Sequence, residues 1–336
     1  MVEVEASRAY RPLCRAAFGR RIKGDKVKKI GIMHGRERTF PEAFIAAVNA
    51  RSEKEGVCAE EVSLGAVSAG DPIGYDVIVD RISHEVPFFQ LALKQATLQG
   101  CRVINNPFWR LADDKFLGTA LVEKLGVPVP KTIALPNREY ITDITAGSLT
   151  NMRLVDWEAV VAQTGLPCFM KPAVGGGWKN VSKNSTVQEL LVNYNQSGQL
   201  PMIVQEGINW ESYYRLIVIG REHVYVNAWD PTKPHAERYT GANFPMPPKL
   251  VAQMKDLAIK MCKALGYEMN TVEFAVRDGV PYAIDFMNCA PDFDSKSLTP
   301  EAFTWVVDTM SDYCIKVAKA KKAKGVKPAA VDLVSA

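Results

Sequence analysis

The chain has 336 residues, 47% of them hydrophobic and 23% charged, with a formal net charge of +4. That composition belongs to a folded protein of two or three domains and excludes a disordered or collagen-like chain. No apolar run approaches the roughly 20 residues needed to cross a bilayer, so no membrane role is expected.

The opening MVEVEASRAYRPLCRAAFGRR is arginine-rich and lacks a long apolar stretch. It is read as no secretory leader, with only a faint likeness to a transit peptide. Seven cysteines are scattered without any C-x-x-C. That argues against a disulfide framework or a zinc site and for a reducing, cytoplasmic setting. Basic clusters occupy residues 8–29 and 316–327. They read as solvated termini, because no interleaved aromatics mark a nucleic-acid arm.

In chain order, KKIGIMHG (28–35) is a buried strand ending in glycine. PEAFIAAVNARSEKEG (41–56) has helical spacing and stops at Gly56. YDVIVDRIS (75–83), FFQLALKQATLQG (88–100) and CRVINN (101–106) read as strand, helix and strand. This alternation implies a small parallel α/β domain. DDKFLGTALVEKLG (113–126) is a further helix, VPVPKTIALP an extended segment, and residues 137–154 a polar loop. PCFMKP (167–172) is a strand leading into AVGGGWKNV. Ser185 to Gln188 fits a capping box opening the helix TVQELLVNYNQ. LPMIVQEGI (200–208) is a strand. RLIVIG and EHVYVNAW flank a tight Gly220-Arg221 turn. LVAQMKDLAIKMCKALG (250–266) is an amphipathic helix stopped by Gly266. The later two-thirds is therefore α+β, built from antiparallel hairpins and helices.

The glycine run Gly175-Gly176-Gly177 follows Lys171 and precedes Trp178 and Lys179. It resembles a phosphate cradle, since glycine lets backbone N–H groups approach phosphate oxygens closely. It is not a Walker A loop, and Asn180 stands where G-x-G-x-x-G needs its last glycine.

TVEFAVRDGVPYAIDFMN (271–288) carries the clearest chemistry. A three-residue loop, Arg277-Asp278-Gly279, pairs Val276 with Val280, Phe274 with Tyr282 and Val272 with Ile284. One face is then apolar, and Glu273 and Asp285 become diagonal neighbours on the other. Two carboxylates that close call for a cation between them, and hard oxygen donors favour Mg²⁺. Asn288 adds a neutral oxygen if the chain bends after Asp285.

Taken together, Lys115, Lys171, the glycine loop, VQEGI and the acidic hairpin come in an order that resembles the ATP-grasp superfamily over residues 105–312. VINNPFWRLADDKFLGTALVEKLGVPVPKT is similar to its carboxylate–amine ligases, which include ribosomal-protein glutamate ligases, glutathione synthetases and D-alanine ligases. The resemblance implies an ATP-grasp fold, α/β and α+β, behind an N-terminal parallel α/β domain. The divisions expected are a basic extension (1–27), an α/β substrate domain (28–110), a central subdomain with the glycine lid (111–203), a C-terminal subdomain with the metal hairpin (204–318) and a basic tail (319–336).

It also implies roles. Lys115 and Lys171 contact ATP, and Gly175, Gly176 and Gly177, with Trp178 and Lys179, close over the phosphates. Gln205, Glu206, Gly207 and Ile208 meet adenine, and Glu211 the ribose. Arg215 and Lys171 serve the transferred phosphoryl group. Glu273, Asp285 and Asn288 hold two Mg²⁺ ions, with Mn²⁺ as the alternative. Two departures stand out: Asp285 to Asn288 is one residue longer than the family's Glu-x-Asn, so that Phe286 occupies the glutamate register, and the glycine loop is unusually aromatic and basic, with Trp178 and Lys179.

The implied reaction activates a carboxylate as an acylphosphate and joins it to an amine, releasing ADP and phosphate. The substrates are small molecules or peptides, and a homodimer is compatible. Loops at the C-terminal ends of the first-domain strands are where such sheets bind ligands. They offer Arg36, Arg38 and Arg81 for a substrate carboxylate and His84 as a base. Asn227 and Asp292 are further candidates. A small-molecule kinase, a non-catalytic nucleotide-binding module and, last, a nucleic-acid binder remain the alternatives.

Overall fold

The computed structural model describes residues 27–108, 114–176, 178–234 and 237–320. Nearly all of the expected basic extension and basic tail, and Gly177, lie outside these residues. The chain divides into two compact units, residues 1–108 with 292–336, and residues 109–291.

The first unit is a parallel sheet. Its strands are β1 (Lys28–Met33), β2 (Val57–Glu61), β3 (Val77–Asp80) and β4 (Arg102–Ile104), in the order β2-β1-β3-β4. The apolar run of β1 is buried, as its sequence demands, with Ile30 and Ile32 fully enclosed. The expected helix over residues 41–56 is two pieces. α1 (Thr39–Asn49) ends at a turn, and α2 (Ser52–Glu55) is stopped by left-handed Gly56, φ 66°. α3 (Pro87–Leu98) seats Leu93 and Ala96 in a cluster with Met33, Ile78 and Val103. The strand β2 gave too short a signal, VCAEE, to be read from sequence.

The second unit begins with α4 (Lys115–Lys124), whose N-cap Asp114 accepts hydrogen bonds from Phe116 and Leu117 N–H. Its first antiparallel sheet has the order β5-β8-β6-β7, from β5 (Thr132–Leu135), β6 (Cys168–Pro172), β7 (Ser182–Asn184) and β8 (Met202–Glu206). α5 (Trp157–Thr164) and α6 (Val187–Asn195) supply Val160 and Leu190 to a core with Cys168, Met170, Met202 and Val204. Alternation then turns Lys171 and Gln205 to the opposite face. α5 was not read from sequence. The capping box also differs: Thr186 is the N-cap, and the Glu189 carboxylate accepts from Ser185 N–H.

The second sheet is also antiparallel. Its order is β10-β9-β11-β12, from β9 (Ser212–Ile219), β10 (His223–Ala228), β11 (Met269–Arg277) and β12 (Val280–Asp285). Leu216, Val218, Val272, Phe274 and Ala283 pack with Met254, Ala258 and Cys262 of α7 (Pro248–Leu265). β9 and β10 join through three residues, Gly220 to Glu222, since His223 pairs with Ile219.

The β11–β12 hairpin departs from the expected register. Arg277 pairs with Val280, leaving a two-residue Asp278-Gly279 turn with both φ values positive, 53° and 70°. This is the turn that matches strand twist best. A bulge lies between the Ala283–Phe274 and Asp285–Glu273 pairs, with Ile284 the extra residue. The anomaly in the pattern was therefore absorbed in mid-strand and not at the turn.

α8 (Pro300–Lys319) belongs to the first unit, packed against α1, β1 and β3. This corrects the expected C-terminal subdomain, which ended near residue 318. The chain leaves the first unit, builds the second, and returns. The cysteine expectation also needs amending. Cys58 is disulfide-bonded, whereas Cys101, Cys168, Cys262, Cys289 and Cys314 are free and buried. No described helix is long and apolar enough to cross a membrane.

Candidate active site

A polar row runs across all four strands of the second sheet. Asn227 pairs with Arg215, Arg215 with Glu273, and Glu273 with Asp285. The side chains of opposed residues lie on one face, away from the α7 core. Glu273 is thus directly opposite Asp285, not diagonal to it. The bulge at Ile284 makes this so; without it Glu273 would face Ile284. Asp285, and not Phe286, therefore stands opposite Glu273. Phe286 is buried in the core.

Arg215 Nε lies 3.7 Å from Glu273 Oε1, and its Nη2 donates to Thr271 Oγ1 at 3.2 Å. Tyr213 OH donates to Glu273 Oε2 at 3.0 Å. The Glu273 side chain is 14% exposed. Burial pushes its pKa up to about 6. Arg215 opposes that rise, Asp285 adds to it, and the Tyr213 hydroxyl and Lys171 oppose it. A carboxylate held in this state favours a cation beside it. Two carboxylates and an amide oxygen are hard donors, which suit Mg²⁺ or Mn²⁺. Among the described residues no group of three or more His, Cys, Asp or Glu could hold a metal ion.

Asn288 reaches this face because Asn270 holds the bend. Asn270 is fully buried. Its Nδ2 donates to Phe286 O at 2.7 Å, and its Oδ1 accepts from Asn288 N–H at 2.8 Å. Asn288 Nδ2 then donates to Thr271 Oγ1 at 3.1 Å. Asn270 was missed from sequence, because an asparagine inside an apolar strand gives no local sign of its partner.

Lys171 on β6 brings a cation to the carboxylates. Burial lowers its pKa, and Asp285 and Glu273 pull the other way. Lys171, Lys115, Gln205, Asp285 and Met287 line one cavity of about 10 Å³, room for a single water. Lys115 N–H donates to Ala173 O at 2.8 Å, and its Nζ donates to Gly175 O. The first turn of α4 is thus tied to the root of the glycine loop. A Cβ added at Gly175 or Gly176 would meet nothing within 4 Å. Trp178 is 58% exposed, and it and Asn180 have positive φ, 60° and 58°. Lys179 is exposed beside them.

The expected adenine strand is partly committed to structure. Gln205 Nε2 donates to Thr132 Oγ1 at 3.0 Å. Glu206 accepts from Arg277 Nη1 at 2.8 Å, which ties β8 to β11, and from Lys131 N–H at 3.2 Å. Gly207 lies so close to Pro167 that a Cβ would stand 2.3 Å from its carbonyl oxygen. Ile208 is partly buried. Glu211 Oε1 accepts from Asp278 N–H at 3.2 Å, holding the hairpin turn.

In the first unit, the candidates separate. Arg81 is buried, forks onto the Glu37 carboxylate at 2.8 and 2.6 Å, and stacks on Phe40 and Phe293. Arg38 is exposed and reaches Glu61 at 3.4 Å. Arg36 and His84 are exposed. Asp292 Oδ1 accepts from Asp294 N–H at 2.9 Å. In the second unit, Asn227 Nδ2 donates to Arg215 O at 3.3 Å. Arg238, also missed from sequence, stacks with Arg215 on the Trp229 ring, at 5.3 and 5.5 Å.

No family model matches the chain. The D-alanine–D-alanine ligase of Prochlorococcus marinus (strain MIT 9515) is 24% identical over 228 residues, 62% of this chain and 60% of the relative. The match thus spans about three fifths of that relative's length. The RimK domain ATP-grasp protein of Sphaerobacter thermophilus superposes with a TM-score of 0.62 at 18% identity, covering 85% of this chain and 99% of that one. The ATP-grasp ligase PsnB, complexed with a variant of its minimal precursor, Mg and ADP, superposes with a TM-score of 0.59 at 16% identity, covering 88% and 100%.

Proposed function

We propose that this chain, whose fold is that of the ATP-grasp ligases, is an ATP-dependent carboxylate–amine ligase. The observation that carries the proposal is the Asn227–Arg215–Glu273–Asp285 row with Lys171 beside it. Cations and carboxylates placed together suit phosphoryl transfer, which asks for positioning and charge stabilisation more than covalent chemistry.

In the reaction, a substrate carboxylate oxygen bonds to the γ-phosphorus of ATP as the bond to the bridging oxygen breaks, and ADP leaves. An amine attacks the acyl carbon, phosphate departs, and the amine proton is lost. Lys171 and Lys115 bind phosphate oxygens, and Arg215 stabilises the group in transfer. Glu273 and Asp285, with Asn288, would hold a divalent cation, which would neutralise charge on the phosphates. Gly175 and Gly176 bring backbone N–H groups to the phosphates. Tyr213 and Arg215 hold the Glu273 carboxylate in place.

The test is ATP turnover with a panel of acids, using hydroxylamine as the amine. The expected product is a hydroxamate with stoichiometric ADP. Lys171→Met is expected to lose at least about 100-fold in turnover with its fold intact. ADP formed without any hydroxamate would favour transfer to an alcohol, as in a kinase. Wild-type turnover by the variant would remove Lys171 from the site.

A further inference from the structure

We infer that the carboxylate face of β11 and β12 is built for one divalent cation held by the protein, and not two. The inference rests on the ligase function proposed above and concerns how its metal site is made.

The donors run out after Asp285. Beyond the bulge, Asp285 shares a face with Glu273, and the next residue, Phe286, is 4% exposed within the core. Met287 returns to the site, lining the same cavity as Lys171 and Asp285. Its thioether packs so tightly on α4 that a Cβ at Gly118 would lie 2.5 Å from Sδ. A thioether is a soft donor and a poor ligand for Mg²⁺ or Mn²⁺. The strand therefore offers one carboxylate where a second ion would need another.

Neither neighbour makes up the deficit. Asn288 is neutral, and its amide nitrogen is spent on Thr271. Glu273 already has a partner for each oxygen, Arg215 at 3.7 Å from Oε1 and Tyr213 OH at 3.0 Å from Oε2. Arg215 is fixed there by its bond to Thr271 and its stacking on Trp229. A permanent guanidinium beside Glu273 repels a dication approaching from that side and itself supplies positive charge. Asp285, on the other side of Glu273, shares its cavity with Lys171 but, among the described residues, has no guanidinium paired across the strand, so it is the carboxylate left to an ion.

The experiment counts Mn²⁺ by electron paramagnetic resonance on the full chain, saturated with a non-hydrolysable ATP analogue. The expected count is one tightly held Mn²⁺ per chain. Asp285→Asn is expected to weaken that ion at least tenfold. Two tightly held ions per wild-type chain would overturn the inference and leave the ligase proposal standing. Unchanged Mn²⁺ affinity in Asp285→Asn would also overturn it, because the nucleotide alone would then hold the ion. No Mn²⁺ uptake with or without the analogue would overturn both.

Discussion

Glu273 sits where three influences on a carboxylate meet. Burial and Asp285 raise its pKa, and Arg215, Tyr213 and Lys171 lower it, leaving a value of about 6 against an ordinary 4.5. Such a group binds its proton more tightly folded than unfolded. Folding stability therefore falls as pH rises from about 4.5 through about 6, by about 2 kcal/mol in all. Glu273→Gln removes this contribution. Urea midpoints for both proteins across pH 4.5–7 check the sign, since other titrating groups cancel in the difference. A difference that does not change with pH would contradict the assignment. The same residue shows why the site resists simple reading. Its neighbour Arg215 lies 58 positions earlier, and its pairing with Asp285 depends on one bulged residue.

Among the elements, the end of β12 depends on β11. Asn270 replaces a run of strand hydrogen bonds by holding Phe286 O and Asn288 N–H with one side chain. It is completely buried, so bulk solvent does not reach the two backbone groups it holds. Asn270→Ala leaves two backbone groups without partners and is expected to cost about 2–4 kcal/mol. Chemical denaturation measures this, and a loss under about 1 kcal/mol would show that the bend holds itself. Leu216 in the same sheet does not carry such a role: it packs in the α7 core. The hairpin was legible as a hairpin and as acidic. Its bulge was not, because apolar and polar residues alternate equally well on either side of Ile284.

At the scale of the whole molecule, the first unit is discontinuous in sequence. α8 returns to α1, β1 and β3 after the second unit is complete. Its inner face buries Ala302, Val306, Met310, Cys314 and Ala318. Removing residues 292–336 would expose the apolar surface these side chains cover, a large cost at about 25 cal/mol per Å². Hydrogen exchange on the truncated chain is expected to find β1 and β3 unprotected, while β9 and β11 keep their protection. Retained protection in β1 would mean that α8 is dispensable to its unit.

The sequence by itself determined the local facts. Apolar runs and glycine stops located most strands and helices, and the Asp-Gly turn marked the hairpin that carries Glu273 and Asp285. It also singled out Lys115, Lys171 and the glycine loop, whose residue types carry their chemistry with them. Only the tertiary structure decided the rest: the bulge register, the turning of Asn288 by Asn270, the Glu206–Arg277 tie and the return of α8. Periodicity records which face of one segment is apolar. Each of these later features depends instead on a partner that is distant in sequence, or on one extra residue absorbed within a strand, and neither leaves a local pattern to read.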